Sequence, residues 1–200
     1  MRFTKIPTDT FDKLQINAGF FTNSVNFETG VIGAPIMATT GGVSFASNPT
    51  YSDFGEDVDN CPKNTKEMKR IESYDPSLSG TAVTLDDTLA QMFIGAADVS
   101  GVRNAAQPTM LVRPRMSLDA TNDFRDLYLV GDYTSDNGEL TGGGIVIHLK
   151  NSFNTAGYQW TTSDRGKGQF AFEFHGHTSV AAQDEVPYDL YIMDPVPPTP

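Results

Sequence analysis

The sequence predicts a mainly β fold: an antiparallel β-sandwich or partial barrel with one flanking α-helix and a long β-hairpin loop. Three features carry this expectation. The 200 residues include 18 Gly and 12 Pro, with many Ser, Thr and Asn, a mixture that suits strands joined by turns better than long helices. Short segments of alternating apolar and polar residues follow one another through the second half, separated by turn-forming clusters, as in sandwiches and barrels. Helical periodicity is convincing in one place only. A chain of this length makes one domain and can bury a core without disulfide or metal staples.

In chain order, residues 1–15 read as an irregular arm around Pro7, and residues 16–193 as the domain. Residues 16–22 form a short strand. Residues 23–40 are a Gly/Pro/Asn-rich connection holding two apolar islands, Val31–Ile32 and Ile36–Met37. A strand starts at Gly41, with Val43, Phe45 and Ser47 on one face and Ser44, Ala46 and Asn48 on the other. Pro49 argues for a bulge or a sheet edge near its far end. A second strand runs from Ile71 to Leu85, interrupted by Pro76, so that 41–85 is a long hairpin whose tip loop is 55–70. A loop of that size is usually functional or disordered.

The helix is expected over about 86–96. Asp86 or Asp87 caps it, Leu89, Met92 and Phe93 make one apolar stripe, and Gly95 ends it. A short strand at 109–113 precedes strands at 126–133, 143–150, 157–162, 168–179 and 186–193, with turns at 135–138, 151–155, 163–168 and 183–185. In the clearest of these, Phe170, Phe172 and Phe174 face a core, while Ala171, Glu173, His175 and His177 face away. Ile145, Ile147 and Leu149 likewise oppose Val146, His148 and Lys150, one buried and one mostly polar face per strand. The Pro-rich end, 194–200, resembles polyproline and is expected to be mobile.

Fourteen Lys and Arg stand against 25 Asp and Glu, a formal charge of −11. That balance argues against a protein that grips nucleic acid by its phosphates or binds an anionic membrane surface. The N-terminus has no apolar run of the kind a secretory signal needs, and the longest uncharged stretch, Thr29 to Ser52, is broken throughout by Gly, Pro, Ser, Thr and Asn and does not read as a membrane span. A single cysteine, Cys61, cannot form an internal disulfide, and no catalytic signature surrounds it. These features fit a protein assembled in a reducing cytoplasm.

No enzyme signature is legible. Glu173, His175 and His177 could bind zinc if they converged, but no further ligand completes the set, and the plain alternative is a polar strand face with two histidines. Acidic stretches at 57–60 and 132–138 lack the Gly and Glu positions of an EF-hand. Gly142-Gly143-Gly144 precedes a strand, and a phosphate-cradling loop precedes a helix. No cofactor is implied. The aromatics Tyr158, Trp160, Tyr188 and Tyr191 could form a sugar-binding platform, which keeps a carbohydrate-binding module of a tail-tip or surface protein as the alternative function. Half-buried strand aromatics are the plainer account of them.

The tip of the hairpin is the most distinctive feature. Residues 53–59 carry Asp53, Glu56, Asp57 and Asp59, net −4, and residues 63–70 carry Lys63, Lys66, Lys69 and Arg70 against Glu67, net +3. The two halves either pair with each other in solvent or form a bipolar plug for a socket on another copy, a head-to-tail contact that builds filaments or stacked rings.

The ordered set of segments, from SFASNPTYSDFGEDVDNCPKNTKEMKRIESYDPSLSGT through LDDTLAQMFIGAADV and LYLVGDY…GGGIVIHL to KGQFAFEFHGHTSVAAQDEVPYDLYI, resembles the major tail proteins of long, non-contractile-tailed bacteriophages, especially those of Gram-positive hosts. The resemblance covers roughly residues 3–193 and rests on segment order. It implies a structural virion protein with the tail tube fold, assembled in the host cytoplasm. Six copies form a ring, adjacent sheets join edge to edge around a lumen, and rings stack through the long loop. The stacking residues would be Asp53, Glu56, Asp57, Asp59, Lys63, Lys66, Lys69 and Arg70. The lumen-facing candidates are Ser77, Ser79, Thr81 and Glu173. Implied partners are the protein itself, a tape measure protein, and tail terminator and tip proteins. DNA would pass through during ejection without specific binding, and no membrane is involved.

Overall fold

The structure is a computed structural model and describes residues 6–7, 10–15, 17–55, 58–101, 109–134 and 140–193. The structure is 50% strand and 10% helix, and among the described residues no set of strands closes on itself. The fold is mainly β as expected, with antiparallel sheets and one flanking helix in a sandwich-like arrangement.

The arm is less irregular than its composition suggests: Thr10–Lys13 forms a 3-10 turn. Strand β1 (Phe20–Thr22) follows. The connection expected over 23–40 folds into a small ribbon, β2 (Val25–Asn26) with β3 (Val31–Ile32). Strands β4 (Thr39–Asp53) and β5 (Lys69–Ala82) make the long hairpin. Pro49 sits in a strand at the sheet's edge, and the register shifts between Thr50 and Tyr51, in line with the bulge or edge that Pro49 argues for. Pro76 does not interrupt β5. It lies one residue past Ser77, where the neighbouring strand on the other side ends, and its carbonyl accepts from the Gly176 N–H at 3.0 Å.

Helix α1 (Asp87–Ile94) has Asp86 as its N-cap, whose Oδ1 accepts from the Leu89 N–H at 2.7 Å. At its end Gly95 has φ +86°, and a Cβ there would lie 2.6 Å from the Phe153 ring. Glycine is thus required twice over, for the backbone angle and for the space. A ribbon of β6 (Ala97–Ser100) and β7 (Leu111–Pro114) follows, of which the sequence pattern showed only the second strand. Then come β8 (Arg125–Thr134), β9 (Leu140–Asn154), β10 (Gln159–Thr161), β11 (Gln169–His175) and β12 (Tyr188–Met193). The turn expected at 135–138 and the Pro-rich end 194–200 lie outside the described residues.

One sheet has the order β1-β8-β9-β12, the other β4-β5-β11-β10. Strand β9 belongs to both. Its residues 144–149 lie between β8 and β12, and Phe153–Asn154 pair with β11. The turn expected at 151–155 is instead a kink inside this strand. Asn151 takes φ +47°, its N–H donates to Asp126 Oδ1 at 3.0 Å, and its side-chain amide donates to the His177 carbonyl at 3.0 Å. A polar side chain able to hold the left-handed conformation lets one strand turn the corner between sheets, a role that bulges and bends serve in such packings.

The core lies between the sheets. Phe21, Leu127, Leu129 and Leu149 meet Leu78, Ala82, Phe170, Phe172 and Phe174, with Met37 and the helix residues Leu89 and Phe93 closing one side. Phe93 stacks on Phe172 at 5.9 Å between ring centres, interplanar angle 3°. Alternation held for the second sheet but not for the first. Val130 and Val146 point away from the core and yet are fully buried, on a face where the ring of Phe27, from the β2–β3 connection, packs on Tyr128 and Tyr191.

Candidate functional site

Strands β4 and β5 pair along their whole length, from Thr39↔Ala82 to Asp53↔Lys69, but β11 accompanies β5 only over 77–82. The outer half of the hairpin is therefore a two-stranded finger. Its tip has structure of its own. Phe54 N–H donates to the Met68 carbonyl (3.3 Å), Cys61 N–H to Val58 (3.1 Å) and Met68 N–H to Thr65 (3.1 Å), and Lys66–Met68 is a 3-10 turn. Met68 packs against Gly55, and Cys61 Sγ lies 3.1 Å from Met68 Sδ. Two sulfurs thus fill the centre of the tip.

The charged blocks are joined at one point in the described part of the loop. Lys69 Nζ pairs with Asp53 Oδ2 at 2.8 Å, at the finger's neck, and also reaches Asn64 at 3.4 Å. Lys66 reaches its neighbour Glu67, at 3.4 Å, and both are largely exposed. Asp59, Lys63 and Arg70 are exposed, and Glu56 and Asp57 lie outside the described residues. Lys69 and Asp53 are thus partly occupied with each other, while Lys63, Lys66, Lys69 and Arg70 are all exposed.

Ser77, Ser79, Thr81 and Glu173 do come together. Ser79 is the cross-strand partner of Glu173, Ser77 of His175 and Thr81 of Ala171. On the other side, Ser44 opposes Ser79, Ala46 opposes Ser77 and Thr40 opposes Thr81. All share the face of the second sheet that points away from the core, where none of them is buried. Over residues 44–50 and 73–81, with β11 beside them, this face is small, polar and free of Lys and Arg; Arg70, the partner of Ser52, joins it at the outer end of the hairpin. Its acids are Asp75, whose Oδ1 lies 2.7 Å from His175 Nδ1, and Glu173, 3.4 Å from His175 Nε2.

The possible zinc set does not converge. Gly176 ends the alternation of β11, and His177 turns to pack edge-on against Phe124, its Nδ1 3.1 Å from the Asn151 carbonyl. Among the described residues no three His, Cys, Asp or Glu side chains converge on a metal site, and no helix is long and apolar enough to cross a membrane. The aromatic platform is likewise divided. Tyr158 and Trp160 lie over Phe170, with Trp160 62% exposed. Tyr188 contacts Phe45 and Tyr74, and Tyr191 stacks on Phe27 at 3.8 Å.

Several structural side chains carried no sequence signal. Asn154 donates to the Phe93 carbonyl (2.5 Å) and the Gly157 carbonyl (3.0 Å) and accepts from the Glu173 N–H (2.9 Å). Arg115 pairs with the buried Asp123 and with Asp98 at 2.9 Å, tying the β6–β7 ribbon to the loop that follows. Asp119 there is held below the usual carboxylate range by the Asn122 side chain and the Thr121 N–H. On the covered face of the first sheet, burial and then Asp126 push the Tyr128 phenol up. Burial opposes the charge on Lys150, but its bonds to Asp189 and Glu185 outweigh this and raise its affinity for the proton. Comparison of the sequence with family models and with curated proteins gives no match.

Proposed function

We propose that the chain is a self-assembling structural protein of the tail tube type, a ring-forming and stacking subunit of a conduit for viral DNA. The observation that supports this best is the second sheet. Its outer face is small, polar and uncovered, and it is bounded by β4, a fifteen-residue edge strand with no partner on its outer side among the described residues. A long bare edge is a template for pairing, and joining edge to edge around a ring would pair it. Over residues 44–50 and 73–81 a wall of hydroxyls with Glu173 and no Lys or Arg offers phosphates nothing to grip, so DNA would slide past it. The tape measure, terminator and tip proteins are the further partners this reading calls for. Purified protein examined by sedimentation velocity and negative-stain microscopy over a wide concentration range is expected to form rings and tubes. A strict monomer throughout, alone and with tail partners, overturns the proposal.

A second reading has one observation in its favour. The Trp160 indole is stacked over Phe170 with its other side in solvent, the posture of a sugar-binding aromatic. A glycan array with hits lost on Trp160→Ala would favour a carbohydrate-binding module, and an array without hits removes it.

A further inference from the structure

We propose that the cleft between helix α1, the β6–β7 ribbon and the loop 119–124 binds a neutral, hydroxyl-rich ligand, a mono- or disaccharide unit. The inference does not rest on the assembly reading, and the cleft shares no residue with the Trp160 surface. Its volume is about 590 Å³, within the range of small-molecule sites. Gln91 comes from the helix, Asp98 and Val99 from β6, Arg115 from just past β7, and the rest from the loop that leads into β8.

The polar groups of the cleft are fixed by one another. Arg115 is held by the buried Asp123 beneath it, and its Nε lies 2.9 Å from Asp98 Oδ1. Arg125 Nη2 donates to Gln91 Oε1 at 2.7 Å, and the Gln91 amide donates to the Ala97 carbonyl at 2.8 Å. Asp119 accepts from the Thr121 N–H at 2.9 Å and from the Asn122 side-chain amide at 2.6 Å, and its own N–H donates to Asp123 Oδ2 at 2.7 Å. Side chains pinned in this way lose little freedom when a ligand arrives, which lowers the cost of association.

The groups left over by this network select the ligand. The Thr121 hydroxyl, the Asn122 carbonyl oxygen and Asp98 Oδ2 have no hydrogen-bond partner among the described residues, and all three residues are exposed. A ligand hydroxyl both donates and accepts, so it can meet these acceptors and the Arg125 guanidinium in turn. Charge disfavours an ion. The lining holds the two guanidiniums and two carboxylates, Asp98 and Asp119, so an anion meets the carboxylates and a cation the guanidiniums. Val99 and the Phe124 ring, itself packed on Phe153 at 5.2 Å, supply an apolar patch for the C–H face of a sugar ring.

The test uses the full chain, with the methyl glycosides of glucose, galactose, rhamnose and N-acetylglucosamine as probes. Saturation-transfer NMR is expected to show contact with at least one of them. Calorimetry is expected to give a Kd of about 1 mM, the value for about a dozen heavy atoms at ordinary ligand efficiency. Thr121→Val removes the free hydroxyl and keeps the backbone bond to Asp119, and Thr121→Trp fills the cleft. Thr121 is exposed, and unchanged circular dichroism and melting check the fold. The first variant is expected to weaken binding about fivefold, and the second to abolish it. Contact with none of the four glycosides overturns the proposal. So does binding that both variants leave intact, or that Trp160→Ala removes while the cleft variants keep it, which assigns the sugar to the exposed indole. Glycine or acetate held more tightly than any glycoside, in a manner that Thr121→Trp abolishes, also overturns it, since the cleft then selects charge.

Discussion

Asn154 is the side chain on which three elements depend. Buried at 2% exposure, it ties the helix carbonyl of Phe93, the Gly157 carbonyl and the N–H of Glu173 to β9. Asn154→Ala would leave those groups without partners in a dry site, and a buried unsatisfied polar group costs about 1–3 kcal/mol. The variant is expected to lose about 2–4 kcal/mol in urea unfolding. Asn154→Asp should fare no better, since it turns a donor toward two carbonyl oxygens into an acceptor. Nothing in the sequence singles out this residue among many asparagines, because its importance comes from what the fold brings to it. Titration gives a second check at this scale. Tyr128 and Lys150 both hold their protons more tightly folded than unfolded. Their contribution is present below the ordinary values of about 10 and is lost as pH rises through the raised folded ones. Thermal stability is expected to fall in that alkaline range, and Tyr128→Phe should remove the latest step from the ultraviolet titration of the tyrosines.

Among the elements, α1 and β11 were legible because each carries a local signal that packing does not override. The Asp86 cap, the Leu89–Phe93 stripe and Gly95 bound the helix, and the three alternating phenylalanines of β11 leave one core-facing register. Gly95→Ala is expected to cost about 1–3 kcal/mol, measured by denaturant midpoint, because it combines positive φ with overpacking against Phe153. What was not legible follows from contacts distant in sequence. Val146 alternates as an outward residue should, yet lies buried on the face that Phe27, far away in sequence, covers. Asn151 looks like a turn former and is one, but the turn is spent inside a continuous strand. Strands of two to four residues, such as β2 and β6, are too short to show a period.

For the molecule as a whole, a net charge of −11 includes a hairpin tip whose halves are opposed, −4 over residues 53–59 and +3 over residues 63–70. Reversing Lys63 and Lys66 to Glu leaves the Asp53–Lys69 pair and the core untouched, so the fold should survive. Elongation is expected to slow, and its salt dependence to weaken, since screening acts over about 8–10 Å. Light scattering at low and high salt measures both. Individual rim pairs are weak, which is why both lysines are changed together. The assembly surfaces were half legible. Period two puts Ser77, Ser79 and Thr81 on one side of their own strand, and it takes the register of β5 against β11 to bring Glu173 beside them. It showed the charge of the hairpin tip more plainly than its apolar side, because Tyr51 and Ile71 look like ordinary strand residues until the structure leaves them outside the core.

The kinked strand has a mechanical consequence. Because β9 is one covalent strand shared by both sheets, the layers are not held by side-chain packing alone. A pull applied to the hairpin passes through β5 and β11 to Asn154, and from there along the main chain into β8 and β12. Sliding one layer over the other would require breaking backbone hydrogen bonds at the Asn151 corner together with the core contacts. A subunit built this way resists shear as a single body, whichever sheet takes the load.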